Sequence, residues 1–136
     1  MNRWILKTDS DVYPFEQLEQ EHRAVWDGVS NPVALRHIKS MAPGDPLMIY
    51  HSGAKKEIVG LARVVGPPVP DPKHPDGKLV VVEVEAGGRL PRPVSLASIK
   101  ADPAFADLAL VRQPRLSVIP VPETQWNRLL AMAGRG

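Results

Sequence analysis

The sequence predicts an α+β fold: a small, mostly antiparallel, barrel-like sheet with short helices around it. Three observations carry that expectation. Four or more short β-type runs follow one another without the regular intervening helices that a doubly wound parallel sheet requires. Good helix starts fall early and late, at Asn31-Pro32, Ser95 and Pro122. The 15 prolines, about twice the usual share, sit mainly in loops and at helix starts, which suits a loop-rich barrel better than a disordered tail. At 136 residues and 43% hydrophobic content, the chain is expected to form one domain over residues 1–136 with a real core.

Arg3 to Lys7 reads as the first strand. Pro14 opens a short helical run in which Phe15 and Leu18 share a face. Trp26-Asp27-Gly28 reads as a turn. Asn31 caps a helix with Pro32 at its first position, running to about Met41 with Ala34, Ile38 and Met41 inward and Arg36, His37 and Lys39 elsewhere on its surface. Pro43-Gly44-Asp45 stops it. Pro46 to Ser52 and Ile58 to Val65 are strands, and Gly66 to Gly77 is loop. Leu79 to Glu85 alternates Val80, Val82 and Val84 against Glu83 and Glu85, as a half-buried strand does. Leu96 and Ile99 lie on a short helix after Ser95, and Leu116 to Ile119 is a last strand. Trp126, Leu129, Leu130 and Ala133 stripe a terminal helix that Gly134 ends.

Composition removes several chemistries. The absence of cysteine excludes disulfides, thiol nucleophiles and cysteine metal sites. No apolar run approaches the ~20 residues of a membrane span, and the N-terminus is too short in apolar residues for a secretory signal. A cytoplasmic protein without a membrane partner is expected. Neither G-x-G-x-x-G nor a P-loop is present, so no nucleotide cofactor is expected. His22, His37, His51 and His74 lack metal-ligand spacing, so no metal is expected either. The net charge of +2 is mild, but residues 86–136 carry seven bases against three acids. That basic third is either a phosphate-facing stripe or an ordinary solvated surface.

Candidate binding residues cluster early. Five of the seven aromatics lie in the first fifty residues. Trp26 offers an indole wall for a planar group, or serves simply as a core residue. Asp27 and Gly28 follow it, and Gly28 permits positive φ or close approach of a ligand. The helix starting at Asn31 presents free N–H groups. Tyr50 and Ser52 share one face of their strand, lining a cavity or filling the sheet, while His51 points to the other. His51 is thus badly placed to activate Ser52, and no catalytic residue is expected. Arg112 and Arg115 flank a bend and could reach one anion or a nucleic-acid backbone.

Seven stretches in order carry a family resemblance: Trp4-Ile5-Leu6-Lys7-Thr8-Asp9; Trp26-Asp27-Gly28-Val29 followed by Asn31; Pro43-Gly44-Asp45; Tyr50-His51-Ser52; Ile58-Val59-Gly60-Leu61-Ala62; Arg92-Pro93-Val94-Ser95-Leu96; and Leu110 through Val118. Together they resemble the EVE domain over nearly the whole chain. That family sits in the PUA-like superfamily with the YTH and SRA modified-base readers and the thymocyte nuclear protein group. The resemblance implies a PUA-like pseudo-barrel and a non-enzymatic nucleic-acid-binding module with a pocket for a flipped, modified base. Its target would be modified cytosine in DNA or a modified RNA base. Proteins of restriction or translation are the implied neighbours.

Carried over by residue, the resemblance implies a pocket drawn from Trp26, Asp27, Gly28, Asn31, Tyr50, His51, Ser52, Lys7, Thr8 and Asp9. Arg112 and Arg115 would lie near its mouth, and Arg36 and Lys39 complete the expected phosphate contacts. Many members continue with Arg-Asn-Tyr and a later Arg where this chain has Ser30-Asn31-Pro32 and Leu35. Two edge contacts are thereby lost. The alternative expectation is a sensor of a small molecule or free modified nucleotide using the same pocket.

Overall fold

The computed structural model describes residues 1–135. Its seven strands are β1 (Trp4–Asp9), β2 (Arg23–Trp26), β3 (Pro46–Ser52), β4 (Glu57–Val64), β5 (Val69–Pro70), β6 (Val80–Ser95) and β7 (Val118–Pro120). The helices are α1 (Phe15–Glu21), α2 (Pro32–Lys39), α3 (Leu96–Ala101), α4 (Ala109–Arg112) and α5 (Glu123–Met132). The strands form one curled half-barrel in the order β2-β6-β4-β3-β1-β7, with β5 added to β6. Every pairing is antiparallel except β1 with β3. The mostly antiparallel α+β architecture is the one the sequence predicts.

The core lies inside the curl. Ile5, Leu6, Leu47, Met48 and Ile49 supply the central strands, and Phe15, Leu18, Ile38 and Leu129 pack helices onto them. Asn31 caps α2 as expected: its side-chain oxygen accepts from the Val33 and Ala34 N–H groups at 2.9 and 3.1 Å. α2 ends at Lys39, earlier than the expected Met41, and Met41 is nonetheless buried. The buried carboxylate of Asp45 ties the following loop to the sheet. It accepts from the Trp4 indole N–H at 3.1 Å and from the Ala42 N–H at 3.0 Å. Either donor left unpaired there would cost about 1–3 kcal/mol.

Several elements differ from the sequence expectation. The stretch 66–77, expected as loop, contains the two-residue β5; α4 forms where no helix was expected; and the last strand is Val118–Pro120, two residues later at its start than the expected 116–119. Arg23–Trp26 forms an edge strand just before the expected turn, because its N–H and C=O groups pair with β6 from Val82 to Glu85. The strand expected to end at Glu85 runs on to Ser95. Gly87, Gly88, Pro91 and Pro93 fall in this extension, and the strand absorbs them at two register shifts against β4. Gly88 takes φ 112°, and a side chain at Gly87 would press on the Leu61 carbonyl at 3.2 Å.

Candidate functional site

A cavity of about 530 Å³ opens between the end of β1 and the turn joining β2 to α2. Lys7, Thr8 and Asp9 line it from β1, Val12 and Tyr13 from the following loop, Val25 to Val29 from the turn, and Ser117 from the approach to β7. A second cavity, about 490 Å³, lies around Met1–Trp4 and Pro120–Gln125. There the Gln125 amide already donates to the Ala104 carbonyl at 2.9 Å and to Asp107 at 2.8 Å. The first cavity combines two aromatic walls with the side-chain polar groups of Trp26, Asp27 and Ser117, which make no hydrogen bond among the described residues, so it is the candidate site.

Trp26 and Tyr13 form its aromatic side, edge to face, with ring centroids 6.1 Å apart and planes at 88°. Trp26 is 8% exposed, so it is both a core residue and a wall. Among the described residues nothing accepts from its indole N–H, and no buried side-chain polar atom is left without a partner; that N–H therefore keeps contact with solvent. The Tyr13 hydroxyl donates to Glu21 at 2.5 Å. Burial, reinforced by Glu21, pushes this phenol well above its ordinary pKa, so it stays a neutral donor.

Two neighbours on the parallel strands anchor the segment that carries Tyr13, Thr8 at Tyr13 itself and His51 at the start of α1. Thr8 and His51 are paired in register across β1 and β3. The Thr8 hydroxyl donates to the Tyr13 carbonyl at 2.8 Å, and His51 Nε2 accepts from the Phe15 N–H at 3.0 Å. Burial first, then the nearby Arg89, lowers the His51 pKa against an opposing pull from Glu57, so the ring is kept as a neutral acceptor.

Six of the ten expected pocket residues come together here: Lys7, Thr8, Asp9, Trp26, Asp27 and Gly28. Gly28 has φ 75°, the conformation for which glycine is suited, and Asp27 is exposed with Lys73 at 3.9 Å. The other four do not line the cavity. Tyr50 is 3% exposed because it fills the sheet, with the Lys7 ammonium 5.6 Å above its ring. Ser52 ends β3 opposite Asp9, His51 is turned toward α1, and Asn31 is engaged as the α2 cap. Asn31 instead lines a shallow neighbouring groove with Val33, Gln113, Pro114, Arg115 and Leu116.

The mouth has mixed charge. Lys7 is half-buried and donates to the Pro114 carbonyl at 2.9 Å, which brings the loop bearing Arg112 and Arg115 to the rim. Burial and the like charge of Lys56 lower the Lys7 pKa. Arg112 and Arg115 are exposed; Arg36 and Lys39 lie on the exposed face of α2 and line no part of the cavity. Leu35 is buried at 8% exposure.

Sequence reasoning missed Tyr13, Val12, Val25, Val29 and Ser117 as lining residues. Tyr13 is one of the five early aromatics but lies outside the seven motif stretches. Its role depends on the Thr8 and His51 anchors, which only the parallel pairing reveals.

The fold has counterparts in solved proteins. A Rhodopseudomonas palustris protein solved by NMR is 38% identical, with 98% of this chain and 94% of that chain covered and a TM-score of 0.94. Human thymocyte nuclear protein 1, crystallised in complex with 5-methylcytosine-containing DNA, is 22% identical over 100% of this chain and 99% of that one, with a TM-score of 0.89. The YTH domain of Zygosaccharomyces rouxii MRB1, in complex with N6-methyladenosine RNA, is 17% identical over 97% and 86%, with a TM-score of 0.58. The EVE domain family model matches residues 2–132, and the chain belongs to the EVE domain family.

Proposed function

We propose that this protein is a non-enzymatic reader of a modified base in nucleic acid, seating an extruded base against Trp26 and Tyr13. The observation that carries this reading is the cavity. Two stretches distant in sequence, Lys7-Thr8-Asp9 and Trp26-Asp27-Gly28, meet around a space of about 530 Å³, within the ~300–1,000 Å³ typical of ligand sites. Two structural relatives are complexes with nucleic acid carrying a methylated base, which supports the same use here.

Each wall has a physical part in this reading. Extruding a base costs a few kcal/mol, least from an unpaired strand. Stacking on an aromatic ring returns about 1–3 kcal/mol. A methyl group placed against Val25, Val29 or Trp26 adds about 0.8 kcal/mol, the discrimination between modified and plain base. Thr8 has committed its proton to Tyr13, so its oxygen is left to accept, as are Asp9 and Asp27. Lys7 and Ser117 donate. Arg112 and Arg115 face phosphates at the mouth.

The test is titration of oligonucleotides carrying 5-methylcytosine in DNA or N6-methyladenosine in RNA, each beside its unmodified twin, at two salt concentrations. Wild type should prefer one modified strand and weaken as salt rises. Trp26→Ala should lose roughly tenfold or more of that affinity. Because Trp26 is also core, the exposed Asp27→Ala variant gives a folded companion and should lose discrimination. Wild type without base preference refutes the reading, whether or not its binding depends on salt.

A specific observation favours a second reading, a sensor of free modified nucleotide. Asp9 and Asp27 both line the cavity, and their carboxylates repel a polyanion. Thermal stabilisation by modified nucleosides, without stabilisation by oligonucleotides, would select it.

A further inference from the structure

We propose that Lys55 and Lys56, in the turn between β3 and β4, grip the phosphate beside the seated base, with Lys7 standing between them and the cavity. The inference rests on the reader function proposed above and names the side of the site from which the strand enters.

Topology puts these residues at the same rim. Because β1 and β3 run parallel, both strands end on one side, with Asp9 opposite Ser52. The turn that follows β3 abuts the end of β1, where a Cβ at Gly53 would stand 3.4 Å from the Asp9 carboxylate. The Lys56 backbone is fixed by the Leu96 N–H, which donates to its carbonyl at 2.8 Å, while the side chains of both turn lysines are exposed. Lys7 is anchored nearby, on the Pro114 carbonyl and over the Tyr50 ring.

Among the described residues the lysines of this rim, Lys7, Lys55 and Lys56, are free of ion pairs, as are Arg36, Lys39, Arg112 and Arg115, whereas on the sheet Arg23 and Arg63 share Glu85, and Arg89 pairs with Glu19. Asp9 and Glu57, the acids on this rim, lie outside ion-pair distance of all three lysines. Lysines left outside ion-pair distance of the neighbouring carboxylates present a place for an anion, and Lys7 already feels the charge of Lys56.

The experiment measures affinity for a duplex with one central 5-methylcytosine and for its unmodified twin, between 50 and 200 mM salt. It uses wild type, Lys55→Ala/Lys56→Ala, and Arg36→Ala/Lys39→Ala. Each lost phosphate contact removes about 0.9 from the log–log salt slope. The turn variant should flatten the slope by 1–2 while keeping the ratio of modified to unmodified affinity and the melting temperature (~ no change for exposed lysines). The α2 variant should leave the slope unchanged. An unaltered slope in the turn variant, or a slope lost in the α2 variant, overturns the proposal. Salt-dependent binding by wild type without base preference refutes the reader function alone, and then the slopes still decide the phosphate grip. Wild type with no salt-dependent binding overturns both.

Discussion

Gly60→Ala should destabilise the protein through one contact. Gly60 lies in β4 opposite Ile49 and Arg89, beside the register shifts of β4. A Cβ added there would fall inside the Phe15 ring: Cε1 would be 2.6 Å away, with Cζ and Cε2 nearer still. Ordinary carbon contact is about 3.5–4.0 Å, so the ring must move by roughly 1 Å. It has little room, since Phe15 is fully buried, its N–H is held by His51, and Arg89 covers it at 5.6 Å. Overpacking of this kind costs about 1–3 kcal/mol, and the depth of the overlap places Gly60→Ala in the upper half. At about 3.5 °C per kcal/mol for a chain of this length, the melting temperature should fall by roughly 7–10 °C. Urea unfolding of Gly60→Ala, Phe15→Leu and the double variant checks the cause. The smaller side chain should relieve the clash, so the double variant should be at least about 1 kcal/mol more stable than the sum of the singles predicts. Additive losses would refute the overlap with Phe15 as the source, and an unchanged melting temperature would refute the close approach itself.

Three further outcomes are expected. His22 ends α1 at φ 66°, the one non-glycine residue with positive φ among those described, so His22→Gly should raise stability by up to about 1 kcal/mol in thermal unfolding. Asn31→Ala removes both cap bonds to α2 and should cost about 1 kcal/mol, read from the urea midpoint at unchanged m-value. His51 and His37 both have folded pKa values lowered from 6.5, chiefly by burial. Their contribution is complete above about pH 6.5 and is lost as pH falls through the folded values, because the unfolded chain then binds more protons. Melting curves from pH 7.5 to 5 should show this loss, and His51→Gln should flatten the part of the slope due to the α1 contact.

Much of the architecture was legible because its signals are local. Asn31-Pro32 and Ser95 announce real caps, and the valine alternation of Val80, Val82 and Val84 marks a real strand. The extension of β6 to Ser95 has no such local signal, because glycine and proline disfavour strand interiors, and only pairing with β4 shows how the strand absorbs them. The candidate site divides along the same line. Trp26-Asp27-Gly28 and Lys7-Thr8-Asp9 were visible as motif residues. Tyr50 and His51 were visible too, but alternation along one strand could not show Tyr50 beneath Lys7 or His51 bonded to α1. Lys55 and Lys56 carry no sequence signal beyond a turn; their position follows from where β3 stops.

The parallel pairing of β1 with β3 also bears on how the protein folds. Lys7 and Tyr50 are register partners more than forty residues apart, and the intervening crossover contains Tyr13, Trp26 and all of α2. Closing so long a loop costs entropy before any strand contact compensates it, and parallel, non-local pairings form slowly for that reason. The hairpin of β3 and β4 can form early, but the aromatic cavity comes into being only when the crossover shuts. Recovery of ligand binding during refolding should therefore lag behind recovery of β-sheet signal, making the site the last part of the molecule to mature.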